Sequence, residues 1–168
     1  MTPEFITALS GVFLKGLVGE IATTRKVISA IPDQNHDYKP DPTSKTAIEL
    51  AWHIATVDVW FLDSIASQNF AQGGDVPMSA EIKTGADIAA WYDKHIAASL
   101  PKVEAMSAEQ LSTVVSFFGM FNFPAVFYLP FMNNHMIHHR GQLSTYLRAM
   151  GGKCPSIYGP SADENPFA

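Results

Sequence analysis

The chain has 168 residues, of which 47% are apolar and 16% charged against a typical ~25%, so it reads as a single domain over residues 1–168 with a core of its own, little solvated tail and a covered oligomer face. Eleven basic against 16 acidic residues give a net charge of −5 with no basic run, which excludes a nucleic-acid binder that tracks phosphates. The single cysteine, Cys154, excludes an intramolecular disulfide and a cysteine-rich zinc knuckle, and it fits a reducing compartment, the cytoplasm.

Thr2-Pro3 forms a helix opening, with Thr as the cap and Pro at the first helical position, where its missing N–H costs nothing. Phe5, Leu9, Val12, Phe13, Gly16 and Leu17 then keep helical spacing, which predicts a helix over residues 3–29 in which Gly16 permits a close helix crossing. Glu4 precedes the apolar residues and Lys15 and Glu20 interrupt them, so the segment is read neither as a signal sequence nor as a membrane span. Residues 31–45, rich in Pro and Asp, are a loop in which His36 is solvated. A second helix opens near Ser44, or at a Thr46/Glu49 capping box, and runs to about Asn69 with a core stripe of Leu50, Ile54, Val57, Phe61 and Ile65. Gly73-Gly74 and Pro77 make residues 70–83 a loop, and Thr84 with Asp87 caps a third helix over residues 86–100. Pro101 ends or kinks that helix, with a further turn or two to Met106. Residues 107–123 read as an apolar loop with a short extended piece, since Val114, Val115 and Phe117 favour extended backbone but no partner strand is evident. The fourth helix runs from near Pro124 to Met150, kinked at Pro130 and stopped by Gly151-Gly152, and an irregular tail follows in which Ile157 and Tyr158 are apolar enough to pack.

Chemistry concentrates in the fourth helix, where His135, His138 and His139 are half of the chain's six histidines. His135 and His139 are four apart, about 40° around the helix and one turn along it, so both imidazoles reach one divalent ion. A histidine-bearing core helix would look the same, and a metal site needs at least a third ligand from elsewhere. His53, at the edge of the second helix's apolar stripe, is the candidate for it. His138 stands three residues from His135 but about 100° around the helix from His139, so all three cannot point at one ion. His95 shares a face with Trp91 and Tyr92 and is read as a core, surface or supporting residue; Cys154, with no basic neighbour to activate it, is structural.

With these residues in view the chain resembles the DinB/YfiT family of metal-dependent four-helix-bundle enzymes. The resemblance rests on His53 within Glu49-Leu50-Ala51-Trp52-His53-Ile54-Ala55, on His135-x-x-His138-His139-Arg140-Gly141-Gln142, and on the closing Leu143, Tyr146, Leu147, Arg148, Gly151, Pro155 and Ile157-Tyr158-Gly159. It covers nearly the whole chain. It implies an all-α four-helix bundle with long inter-helix loops, often a homodimer, and a divalent ion, nickel, zinc or iron, on His53, His135 and His139. It leaves His138 as a packing residue or a support to the ligands.

Relatives of that family include S-transferases and isomerases that use low-molecular-weight thiols, so the resemblance implies a thiol-dependent S-transferase acting on a small electrophile. A metal-dependent hydrolase is the nearest alternative, and a non-catalytic, metal-stabilised stress-response bundle is the alternative of another class. Glu49, one turn before His53, and Asp58, five residues after it, are the carboxylates in sequence reach of the centre, but Glu49 is equally a cap. No catalytic acid, base or substrate-reading residue is identified.

Overall fold

The computed structural model describes residues 1–70, 73 and 76–167. Its elements are α1 (Pro3–Ser29), α2 (Ala47–Ser67), α3 (Gly85–Glu104), a short α4 (Ala108–Ser112), strands β1 (Val114–Phe117) and β2 (Phe121–Pro124), a 3₁₀ turn at Ala125–Phe127, and α5 (Tyr128–Ala149). Glycine 74 of the expected Gly73-Gly74 turn lies outside the described residues. The four long helices form a ring in which α1 packs on α3 and α5, and α2 packs on the same two helices. Consecutive helices α1 and α2 are thus diagonal, as are α3 and α5, and each of these steps needs a long connection.

Local chemistry sets the helix boundaries. Thr2 caps α1 by accepting from the Phe5 N–H. Thr46 and Glu49 form a reciprocal capping box at the start of α2, as Thr84 and Asp87 do for α3. α2 is buried on nearly every side, and all five residues of its expected stripe lie in the core. Helix α3 continues through Pro101 to Glu104, within the further turn expected beyond residue 100. Its first residue, Gly85, touches the end of α1 so closely that an added Cβ would stand 2.5 Å from the Ile28 carbonyl oxygen.

Two expectations are corrected. Residues 107–123 hold α4 and an antiparallel hairpin in which Val115 pairs with Phe123 and Phe117 with Phe121. The missing partner strand is Phe121–Pro124, formed by the end of the expected loop and the expected first residue of the last helix. The Tyr128 hydroxyl pins both strands, donating to the Val115 carbonyl at 2.7 Å and accepting from the Phe123 N–H. The hairpin also packs on an aromatic cluster of Trp60, Phe61 and Phe70, which supplies the support an isolated hairpin lacks. Second, α5 begins at Tyr128, so Pro130 falls in its first turn, where a missing N–H breaks no helical bond and no kink is required.

The first helix is more apolar than Lys15 and Glu20 suggested. By length and composition it could cross a membrane, and little of it is buried in the bundle. Phe5, Val12 and Val18 are among its exposed side chains.

Between α2, α3 and α5 the core holds one carboxyl group. Asp58 is fully buried and accepts from the Tyr92 hydroxyl at 2.8 Å, and Tyr92 in turn touches the Met136 sulfur. Burial pushes the Asp58 carboxyl up to about 8, against the opposing pull of the Tyr92 hydrogen bond and the Arg140 charge. The unfolded chain therefore releases this proton near the ordinary value of 3.8 while the folded chain keeps it, so Asp58 draws stability down as pH rises across that window. Replacing Asp58 by Asn should remove this slope. In denaturant unfolding between pH 5.5 and 8.5, the stability difference between the Asp58→Asn and parent proteins should move in favour of the variant as pH rises, and a pH-independent difference would show that Asp58 folds in its charged form.

Candidate metal centre

Helices α2 and α5 lie side by side, and their facing surfaces carry the three histidines that the sequence singled out. His53 is half-buried on a mostly buried helix, and His135 and His139 stand one turn apart on α5. Ring centroids are separated by 4.5 Å for His135 and His139, 4.8 Å for His53 and His139, and 5.3 Å for His53 and His135. One ring nitrogen from each lies within 4.8 Å of the other two. Two nitrogens bound to one ion at about 2.1 Å stand at most about 4.2 Å apart, so small ring rotations close the cluster on a metal. The donor set thus fits a divalent ion, and imidazole suits zinc, nickel and iron alike.

The surroundings orient the rings. His139 Nδ1 lies 2.7 Å from Gln142 Oε1. The carboxamide oxygen accepts, so Nδ1 carries the proton and Nε2 presents its lone pair to the cluster. Burial lowers the His139 pKa, and the charges of His53, His138 and Lys45 act in the same direction against the Gln142 hydrogen bond, so the neutral, ligating form is favoured. Phe61 packs 5.9 Å from the His135 ring and closes the inner side of the cluster. Gln142 stood in the sequence motif without a role. Its signal was the i, i+3 spacing from His139, which lets a carboxamide reach back along the helix.

The remaining histidines lie elsewhere. His138 is exposed, with its ring edge-on to His139 at 4.8 Å and outside the three-nitrogen group. His95 stacks on Trp91 at 3.8 Å and bonds the Trp91 carbonyl through Nδ1. His36 sits in the exposed loop against the Asp33 carbonyl. Both carboxylates once in reach are committed. Glu49 Oε2 accepts from the Thr46 N–H and hydroxyl, and these bonds, the backbone one first, hold its pKa below the usual value; Asp58 faces Tyr92. Cys154 is tied through its N–H to Asp163, away from the cluster.

Fold and cluster together define an all-α bundle equipped to hold a metal ion on histidines of two neighbouring helices. The chain belongs to the DinB family, whose model matches residues 7–166. The Bacillus subtilis (strain 168) protein YrdA is 28% identical over 158 residues, covering 90% of this chain and 89% of YrdA. Among solved structures, a DinB-like protein from Bacillus cereus ATCC 10987 superposes with a TM-score of 0.73 at 26% identity, over 87% of this chain and 95% of the other. The DinB-like protein YjoA of Bacillus subtilis gives 0.68 at 23% identity over 91% and 99%, a likeness of fold.

Removing any one ligand should leave a two-histidine site with far weaker affinity. Elemental analysis of purified protein should show metal content falling severalfold in His53→Ala, His135→Ala and His139→Ala, and unchanged in His36→Ala and His95→Ala. Full occupancy in His139→Ala would break the assignment.

Proposed function

We propose that the protein is a divalent-metal-dependent enzyme whose His53, His135 and His139 hold the ion, and that it acts as a thiol-dependent S-transferase on small electrophiles. The observation that supports this reading is the convergence of three half-buried imidazoles, a group that among the described residues includes no carboxylate or thiolate. An ion held there supplies a Lewis-acid position that brings the pKa of a bound thiol or water toward neutrality. Three neutral ligands leave the ion's charge unbalanced, which favours an anionic sulfur over a neutral oxygen. In the transfer the thiol loses its proton to solvent, its sulfur forms the new bond to carbon, and the leaving group departs with the electron pair of the bond that breaks. The chain's part is positional. Gln142 fixes the His139 ring, while α2 and α5 hold the imidazoles on one side so that thiol and electrophile meet on the other.

Cobalt-substituted protein should develop a sulfur-to-metal charge-transfer band in the near ultraviolet on adding a small thiol, with about one proton released per site near neutral pH. If no physiological thiol produces the band and the cobalt protein hydrolyses esters or amides, the hydrolase reading replaces the transferase. If it does neither, the bundle is a non-catalytic metal protein.

We also propose that the working form is a homodimer paired through α1. Phe5, Val12, Gly16 and Gly19 fall within about 40° of one side of this helix, and Phe5 and Val12 are 53% and 69% exposed. Among the described residues, no group outside the adjoining turns of α1 lies within 4 Å of where a side chain on Gly16 or Gly19 would begin, so no described helix uses the close crossing that Gly16 permits. A second α1 laid on this stripe would cover it. Light scattering at micromolar concentration should give twice the 18.4 kDa chain mass, and Val12→Glu should return the protein to 18.4 kDa. A parent protein that scatters as a single chain would remove the proposal.

A further inference from the structure

Beside His53 lies a cleft of about 660 Å³, a size suited to a small organic ligand. One wall is residues 43–45, the approach to α2; the other is residues 76–78; Trp52 and His53 stand between them. The second wall is anchored to the helix that carries the histidine, because the Trp52 indole N–H donates to the Val76 carbonyl at 2.6 Å. His53 is thus the member of the three-histidine cluster that lines the cleft, and the second wall is tied to the helix that carries it.

The polar groups of the cleft are unequally occupied. The Thr43 and Ser44 hydroxyls both turn to the Asp41 carboxylate. Glu49 is held by Thr46 at the helix start, where the α2 dipole offsets its charge. Lys45 is different. Its side chain is exposed and, among the described residues, forms no direct ion pair, although its charge also acts on the Glu49 carboxylate. Its charge is felt at His139, which places it in electrostatic reach of the cluster. Val76, Pro77 and Met78 offer apolar surface opposite, suited to a short carbon chain. A ligand whose sulfur sits at the three imidazoles and whose tail enters this cleft would thus meet the Lys45 cation, an apolar wall and, at the helix start, the Glu49 carboxylate that Thr46 engages.

We propose that this cleft is the subsite for a carboxylate borne by the thiol, with Lys45 as the residue that reads it. The inference deepens the S-transferase reading and rests on it, narrowing the cosubstrate from any small thiol to an anionic one. Lys45 is a specificity-determining residue here and takes no part in bond making. An exposed ion pair of this kind changes affinity by up to about fivefold.

The test uses cobalt-loaded protein and three thiols of similar length but different charge: mercaptopropionate, mercaptoethanol and cysteamine. Each is titrated by the charge-transfer band into the parent and into Lys45→Gln, and the quantity read is the change in apparent affinity between the two proteins, which cancels the thiols' different basicities. The substitution should weaken mercaptopropionate by about fivefold, leave mercaptoethanol unmoved and strengthen cysteamine; Lys45→Arg should behave as the parent, and added salt should shrink the mercaptopropionate effect. Equal changes for all three thiols, or none, would overturn the role of Lys45 while leaving the thiol reading intact. Should no thiol give a band, the transferase reading falls by itself, and propionate binding measured by calorimetry decides the cleft: weakened by Lys45→Gln it supports a carboxylate subsite, unchanged it overturns one.

Discussion

A single buried cation governs how the last helix sits in the bundle. Arg140, the residue after His139, is 1% exposed, and its guanidinium pairs with the Glu20 carboxylate at 2.5 Å. It also donates to the Glu20 carbonyl, the Thr24 hydroxyl and the Tyr158 hydroxyl. A desolvated guanidinium tolerates burial only with its donors satisfied, and removing one partner of such a pair typically costs about 3–5 kcal/mol. All of the partners lie on α1 or in the C-terminal tail. Because Arg140 points to α1, and His139 stands about 100° around the helix from it, the rotation of α5 is fixed with the histidine face toward α2. The pair is weak evidence for stability and stronger evidence for register, since a rotated α5 would strand the charge.

The opposite side of the centre is held by different means. Helix α2 is apolar almost all round, so burial alone does not choose its rotation. Polar contacts do: Asp58 meets Tyr92 on α3, Asp63 accepts from Ser99 and Lys102 of the same helix, and the Trp52 indole meets the Val76 carbonyl; the first and last of these flank the histidine. His53 lies between Trp52 and Asp58 along the helix. Its position against His135 and His139 thus follows from contacts that its neighbours make, with α3 and the loop before it on one side and α5 on the other. The long connections of the ring topology place polar loops at the end of α2 where the cleft opens, and the hairpin and its aromatic cluster sit around Trp60, Phe61 and Phe131, toward the other end of the same helix.

Much of this was readable from residues alone, where the signal was local. The i, i+4 pair of His135 and His139, the capping residues Thr46 and Glu49, and the stripe from Leu50 to Ile65 each depend on spacing within one helix. What escaped was set by contacts distant in sequence. The hairpin turns at Phe118, whose φ of 52° is unusual for a bulky residue, and at Gly119; Phe118 is offset there by stacking on Trp60, 58 positions away. No turn propensity announces that. Arg140 reads as a surface charge unless Glu20 and Thr24 are known to face it. Tyr158, expected to cover something with its ring, is 70% exposed, yet its ring lies 5.1 Å from the buried Arg140 guanidinium and its hydroxyl accepts from it, a polar contact that its apolar character did not announce.

The same pattern of commitments bears on whether the cluster is a structural or a reactive centre. A structural zinc site is closed, with four protein ligands. Within α2 the two acidic residues in reach of a fourth position are spoken for: Glu49 closes the capping box and Asp58, fully buried, is held protonated against Tyr92. On α5, His138 is the nearest further imidazole, and its direction from the helix takes it to solvent. Recruiting any of these would cost a cap, a buried hydrogen bond or a turn of the helix that Arg140 forbids. Among the described residues, then, three imidazoles stand together with no ready fourth donor, and an ion held by them would keep a coordination position for an outside molecule. With His53 half-buried at the edge of a cleft rather than sealed in the core, that molecule has a route in.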